Sequence, residues 1–244
     1  MAVYLERPIA HRGLHDDICP ENSLSAFLRA MNEGFSIELD IRLTKDNVPI
    51  VFHDSTLERM TGAKGRVDQY TYKSLKKLNL LNSKEKIPSL EEVFRLVEGK
   101  VPIVAEFKTE SSDYLLEEAC HDLLNEYHQE YKICFQSFNI FTLKWFKEHF
   151  PRVSLGLLTT DRFDGVKLNF FKKQLVRLMP LAPILKPDYV GFNHEGFSAL
   201  QLNFISKFTD AHMLFWTVRS KSDYEKVKVA ADNIIFEGFN PYEE

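Results

Sequence analysis

The chain has 244 residues, 44 % of them hydrophobic and 27 % charged, the composition of a globule able to bury a sizeable core, which excludes disorder and fibrous repeats. Its 31 Lys and Arg against 35 Asp and Glu leave a net charge of −4, so no basic field is present to hold nucleic acid. Three cysteines (Cys19, Cys120, Cys134) without a CxxC pair, no signal-peptide pattern and no run of ~18 apolar residues predict a cytoplasmic protein without a membrane span.

Short apolar runs alternate with stretches of helical period, the pattern of βα units around a parallel sheet. A strand at 9–10 is followed by a helix over 22–32 that stops at Gly34, and a strand over 36–43 follows. Residues 54–88 break the alternation with Gly62, Gly65 and many lysines, separating an extension of the second strand from the next helix, and are read as a small insertion over the mouth. Ser89 with Glu92 three residues later marks a capping box opening a helix over 89–98. Strands at 101–107, 132–136, 153–158, 188–192, 213–218 and 233–236 then alternate with helices at 112–127, 140–150, 166–179, 198–208 and 222–231. Eight strands and seven helices predict one α/β domain over residues 1–244, a (β/α)8 barrel whose last helix is short or missing.

In such a barrel the working residues sit at the C-terminal ends of the strands. There the sequence places His11-Arg12-Gly13, then Glu38 and Asp40 followed by His53-Asp54, then Glu106 and Lys108. Glu38 and Asp40, two apart on a strand, share a face and repel, so a cation between them, with Glu106 as third ligand, is expected. All-oxygen ligation favours Mg²⁺ or Ca²⁺; a structural network with Arg42 or Lys108 is the alternative. His11 and His53 suit the two halves of proton transfer, and Arg12 and Lys108 suit an anionic phosphoryl centre. Which histidine is acid and which base stays open, as does the nucleophile.

The strings AHRG, PENSLSAF, IELDIRLTKDNVPIVFHDSTLERMTG, IPSLEEVF, AEFK, QSF and WTV, in this order along nearly the whole chain, resemble the glycerophosphodiester phosphodiesterase family. The resemblance implies a TIM barrel that hydrolyses glycerophosphodiesters to glycerol 3-phosphate and an alcohol in glycerol and lipid metabolism, with one divalent cation. Matched by position, it implies His11 and His53 as acid and base and Glu38, Asp40 and Glu106 as metal ligands. Arg12 and Lys108 would touch phosphate, Asn22 would shape the site beside His11, and Trp216 would wall the glycerol side. Four positions depart from the pattern: Ser23 for Thr, Asn47 for Gly, Arg219 where Asn is common and Glu237 for Asp. The last two bear on substrate preference.

Related readings are a phospholipase D-like lyase, a lysophospholipid phosphodiesterase and a non-catalytic phosphodiester binder. An enolase-type proton abstraction fits less well, because all three acids lie on the second and third strands. Residues 163–187 interleave Lys and Arg with Phe, Leu and Met. They are read as an ordinary barrel helix with Phe171, Leu175 and Leu178 as its inner stripe, with membrane-surface contact as the weaker reading. His194-Glu195 is a candidate for head-group contact, and Cys134 is expected to be a core residue.

Overall fold

A computed structural model describes residues 2–109, 113–127, 132–161 and 169–243. The strands are β1 (Ile9–Ala10), β2 (Ser36–Leu43), β3 (Pro49–Val51), β4 (Ile103–Phe107), β5 (Ile133–Ser137), β6 (Ser154–Thr159), β7 (Tyr189–Asn193), β8 (His212–Val218) and β9 (Asn233–Phe236). Parallel pairing runs from β2 through β4 to β9 in order, and β1 joins β9 to β2, so the sheet closes into an eight-stranded barrel. The remaining strand, β3, runs antiparallel along the outer end of β2, with Ile41 opposite Val51 and Leu43 opposite Pro49. The expected extension of the second strand is thus a separate strand turned back on it. The fold-back is made at Asn47, whose φ of 58° is left-handed, a conformation Asn tolerates better than most residues.

The helices are α1 (Leu24–Asn32), α2 (Glu58–Thr61), α3 (Tyr72–Leu75), α4 (Leu90–Val97), α5 (Leu115–Tyr127), α6 (Ile140–His149), α7 (Phe170–Leu178), α8 (Ala182–Leu185), α9 (Ala199–Phe208) and α10 (Lys221–Val227). Ser112 and residues 166–168 of the expected helices lie outside the described residues. Helix starts follow the expected chemistry: the Ser23 hydroxyl accepts from Ala26 N–H, and Ser89 with Glu92 closes the capping box on α4. Among the described residues no helix follows β9, and none is long and apolar enough to cross a membrane.

The period of two along each strand divides the side chains between two interiors. Ile37, Leu39 and Ile41 of β2 face the layer between sheet and helices, where they join the main core with Phe94 and Phe107. The alternate residues point into the barrel. Its lower layer is apolar, with Ile9, Val104, Cys134, Tyr189, Leu214 and Ile235 packed together and Tyr4 joining them. The Cys134 thiol is pushed up to about 12 by burial, which makes it the core residue expected. Gly156 leaves room for Tyr189, since a Cβ there would come within 2.1 Å of the ring.

Residues 54–88 contain α2 and α3 and pack around a cluster of Ile50, Phe52, Leu57, Met60, Val67, Leu75, Leu80 and Ile87. On the opposite flank, α7 corrects the expected inner stripe. Phe171, Leu175 and Leu178 are 78 %, 51 % and 54 % exposed. The chain turns at Met179 (φ 48°), and Met179, Ala182 and Leu185 enter the main core in place of the α7 residues. Phe163 and Lys167 lie outside the described residues.

Candidate active site

One strand step above the apolar layer, β2 and β4 turn charged residues into the barrel. Glu38, Asp40 and Glu106 are buried, and each places one carboxylate oxygen within 4.8 Å of the others. The Glu38 carboxyl is pushed well above its usual range, by burial first and then by Asp40 and Glu106. Burial acts on Asp40 too, but Lys108 and Arg12 outweigh it and hold that group far below its usual range. Lys108 Nζ lies 2.5 Å from Glu106 Oε1 and 3.0 Å from Asp40 Oδ1. Arg12 Nε lies 3.3 Å from Asp40 Oδ2. Two cations thus face three carboxylates, and an all-oxygen group with a surplus of negative charge out of water fits a hard divalent ion.

The turn after β1 brings Arg12 and Asn22 against this floor. Arg12 (φ 55°) and Gly13 (φ 81°) are both left-handed, which swings the chain across the mouth and lets the Arg12 N–H donate to Glu38 Oε2 at 2.9 Å. A side chain at Gly13 would sit 2.9 Å from Ala26 and Phe27, so only Gly fits that turn. Asn22 Nδ2 donates to Asp40 Oδ2 at 2.9 Å, and Asn22 Oδ1 accepts from Asp40 N–H at 3.3 Å.

Both expected histidines act on the same carboxylate, since His53 and His11 each help to lower Asp40. Each is tied through Nδ1 to an acid: His11 to Glu237 Oε2 at 2.8 Å and His53 to Asp54 Oδ1 at 2.6 Å. With Nδ1 donating to a carboxylate, Nε2 is left as the nitrogen free for chemistry. Burial lowers His11 to about 4; the Glu237 hydrogen bond opposes this and Arg12 adds to it. Glu237 is drawn down to about 2 by the hydrogen bond from His11. Asp54 is further held by Arg59 Nε at 2.6 Å, and Arg59 also donates to Glu21, which accepts from Arg12 Nη1 at 2.8 Å.

A model of the glycerophosphoryl diester phosphodiesterase family matches residues 11–238. The chain belongs to this family. It is 33 % identical, over 93 % of its own length and 92 % of the relative's, to a glycerophosphodiester phosphodiesterase of Caldanaerobacter subterraneus subsp. tengcongensis. A phosphodiesterase of Oleispira antarctica, solved in complex with the product sn-glycerol-3-phosphate, superposes with a TM-score of 0.79 at 23 % identity, covering 97 % of this chain and 95 % of that one. A glycerophosphodiester phosphodiesterase from Thermotoga maritima gives a TM-score of 0.71 at 24 % identity over 95 % and 94 %. These two likenesses establish the shared barrel.

For this member of the glycerophosphoryl diester phosphodiesterase family, the other expected site residues divide. Trp216 on β8 lies within the barrel, packed on Phe138 at 5.8 Å between ring centres, with its Nε1 buried and without a hydrogen bond. His194, a candidate for head-group contact, lies 3.8 Å from Asp223 of α10. Along the sequence Glu237 stands out only as a departure from the family pattern, with nothing to tie it to His11, and Asp54, Arg59 and His15 carry no assigned role there. The HD dipeptide was a signal for Asp54. Nothing along the chain links residue 237 to residue 11, because β1 and β9 become neighbours only on barrel closure.

Proposed function

We propose that this chain hydrolyses glycerophosphodiesters to glycerol 3-phosphate and an alcohol, with Glu38, Asp40 and Glu106 holding Mg²⁺ or Ca²⁺ and with His11 and His53 moving the protons. The observation that carries this reading is the placement of two imidazoles, each bound through Nδ1 to its own carboxylate, around a buried group of three acids. Bound there, such an ion supplies Lewis-acid polarisation of a phosphate oxygen. His11, kept neutral near pH 7 by burial, takes the nucleophile's proton on Nε2. His53, backed by Asp54 and Arg59, delivers a proton to the leaving alcohol. Arg12 and Lys108 offset charge on the phosphoryl oxygens, Asn22 fixes Asp40, and Trp216 bounds the glycerol side. Residues 54–88 serve as a wall of the mouth, tied to it where Arg59 clamps Asp54 and Glu21.

The test is release of glycerol 3-phosphate from glycerophosphocholine and glycerophosphoethanolamine with Mg²⁺, with Ca²⁺ and with EDTA, beside His11→Ala. Metal-dependent release that disappears in the variant is expected; metal-independent release would remove the role given to the acids. Trapping a cyclic glycerophosphate during turnover would identify the glycerol 2-hydroxyl, rather than water, as the nucleophile.

A second reading, a diester carrying an acyl chain, is favoured by one flank. Phe141 and Ile184 line one groove with Lys144 and Lys147, and they, like Phe170 and Phe171 of α7, are more than half exposed, a combination suited to an anionic lipid surface. Co-sedimentation with phosphatidylglycerol vesicles at low salt, lost in Phe170→Ser/Phe171→Ser, is the expected result; no binding would remove this reading.

A further inference from the structure

A second group of donor atoms stands at the rim of the mouth. His11, His15 and Glu237 each place one ligand atom within 4.8 Å of the others. His11 Nδ1 lies 2.8 Å from one oxygen of the Glu237 carboxylate, and His15 Nε2 lies 3.9 Å from the other. Donor atoms around a tetrahedral Zn²⁺ with bonds of about 2.0–2.1 Å stand about 3.3 Å apart, so a group whose ligand atoms all lie within 4.8 Å of one another needs only small side-chain adjustments to close on the ion. Ligand chemistry separates this group from the floor: two imidazoles and a carboxylate suit Zn²⁺, whereas three carboxylates suit a hard ion.

His15 Nε2 is sealed from solvent and makes no hydrogen bond, so nothing must be displaced to free it. Arg219 Nη2, 3.2 Å from Glu237 Oε2, competes for the carboxylate, but its side chain is 54 % exposed and can turn into water. Arg12 also faces both histidines, opposed by Asp16, Glu21 and Asp40.

We infer that His11, His15 and Glu237 form an inhibitory Zn²⁺ site that arrests hydrolysis by capturing His11. This rests on the proposed role of His11 as a proton-transfer group. Without zinc, Nδ1 carries the proton and donates it to Glu237, leaving a lone pair on Nε2. With zinc on Nδ1 the single proton of the neutral ring moves to Nε2 through solvent, and Nε2 can no longer accept one. Glu237 stays a carboxylate and no proton is lost overall.

The test uses the whole chain, saturated with Mg²⁺, with Zn²⁺ and Co²⁺ as probes. Calorimetry is expected to find one Zn²⁺ site, and Co²⁺ to give the strong visible bands of tetrahedral ligation. Both are lost in His15→Gln and kept in Glu106→Gln and Cys19→Ser. In the hydrolysis assay His15→Gln keeps its basal rate and needs at least about tenfold more Zn²⁺ for half inhibition. Zn²⁺ binding that persists in His15→Gln and vanishes in Glu106→Gln overturns the proposal, because the ion then sits among the carboxylates. Unchanged Zn²⁺ sensitivity in folded His15→Gln does the same, and His15→Asn replaces that variant if it fails to fold. Calorimetry and the Co²⁺ spectrum need no turnover, so absence of the zinc site and absence of diester hydrolysis are separate results.

Discussion

The floor and the rim of the mouth use the same residue types under opposite constraints. At the floor, Glu38, Asp40 and Glu106 ride on β2 and β4, where Asp40 pairs directly with Glu106 in the parallel register. At the rim, His11, Glu237, His53 and Asp54 stand just past strand ends. The Asp40 side chain is 1 % exposed and that of Glu237 26 %. Charge at the floor cannot be screened by water, so it must be matched, and Arg12 and Lys108 stand against it. Charge at the rim is partly solvated, and its partners adjust position and proton affinity instead of neutralising a deficit. Backbone register sets the first region; a few side-chain hydrogen bonds set the second.

The hardest way to break this contrast is at the floor. Asp40→Asn, or removal of divalent ions by EDTA, is expected to lower kcat/KM by about 10³-fold or more; a loss below tenfold in steady-state assays would show that the three acids do not hold the working cation. Next come the proposed proton-transfer groups. His11→Ala and His53→Ala should each lower kcat by about 10²- to 10⁴-fold with a small change in KM.

The rim carboxylate separates orientation from charge. Glu237→Ala is expected to lower kcat about 10- to 100-fold, whereas Glu237→Gln keeps an oxygen for the Nδ1 proton and retains more activity. The carboxylate raises the proton affinity of His11 against burial, so in Glu237→Gln the acid limb of the kcat/KM profile moves to lower pH. A limb that rises in pH would contradict the role given to the carboxylate.

Stability has the same sign at both groups. Native His11 resists protonation down to about 4 while the unfolded residue takes a proton at 6.5, so stability falls as pH drops through that window. Glu237, held at about 2 against 4.5, contributes stability that is full above 4.5 and lost as pH falls through about 2. Thermal melts between pH 7 and 3 should therefore show a steady decline, shallower below pH 4.5 in Glu237→Gln.

The smallest effect belongs to Arg59, which is 47 % exposed. Arg59→Ala releases Asp54 and Glu21, and screening by solvent limits the cost in stability to about 1 kcal/mol or less, with a few-fold loss of kcat.

The floor was legible along the chain because acids two apart on one strand must share a face. Asn22 and Gly13 were legible as parts of motifs, although the pairing of Asn22 with both ends of Asp40 needed the folded turn. Two readings failed for one reason. Apolar spacing over α7 predicts an inner stripe, yet Met179 bends the chain and α8 takes that place; β3 looked like a continuation of β2 until Asn47 reversed it. In both cases one left-handed residue redirected a pattern that remains locally consistent.

Alternating apolar runs, the cap at Ser89 and carboxylates at spacing two depend on neighbours within a few residues, so the barrel class, the order of its elements and the acids of the floor can be read along the chain. Pairing of His11 with Glu237, the approach of His15 to the same carboxylate and the meeting of Arg59 with Glu21 join residues distant along the chain. They depend on barrel closure and on the path of residues 54–88, and side-chain directions at strand ends follow no period. Tertiary structure alone decided them.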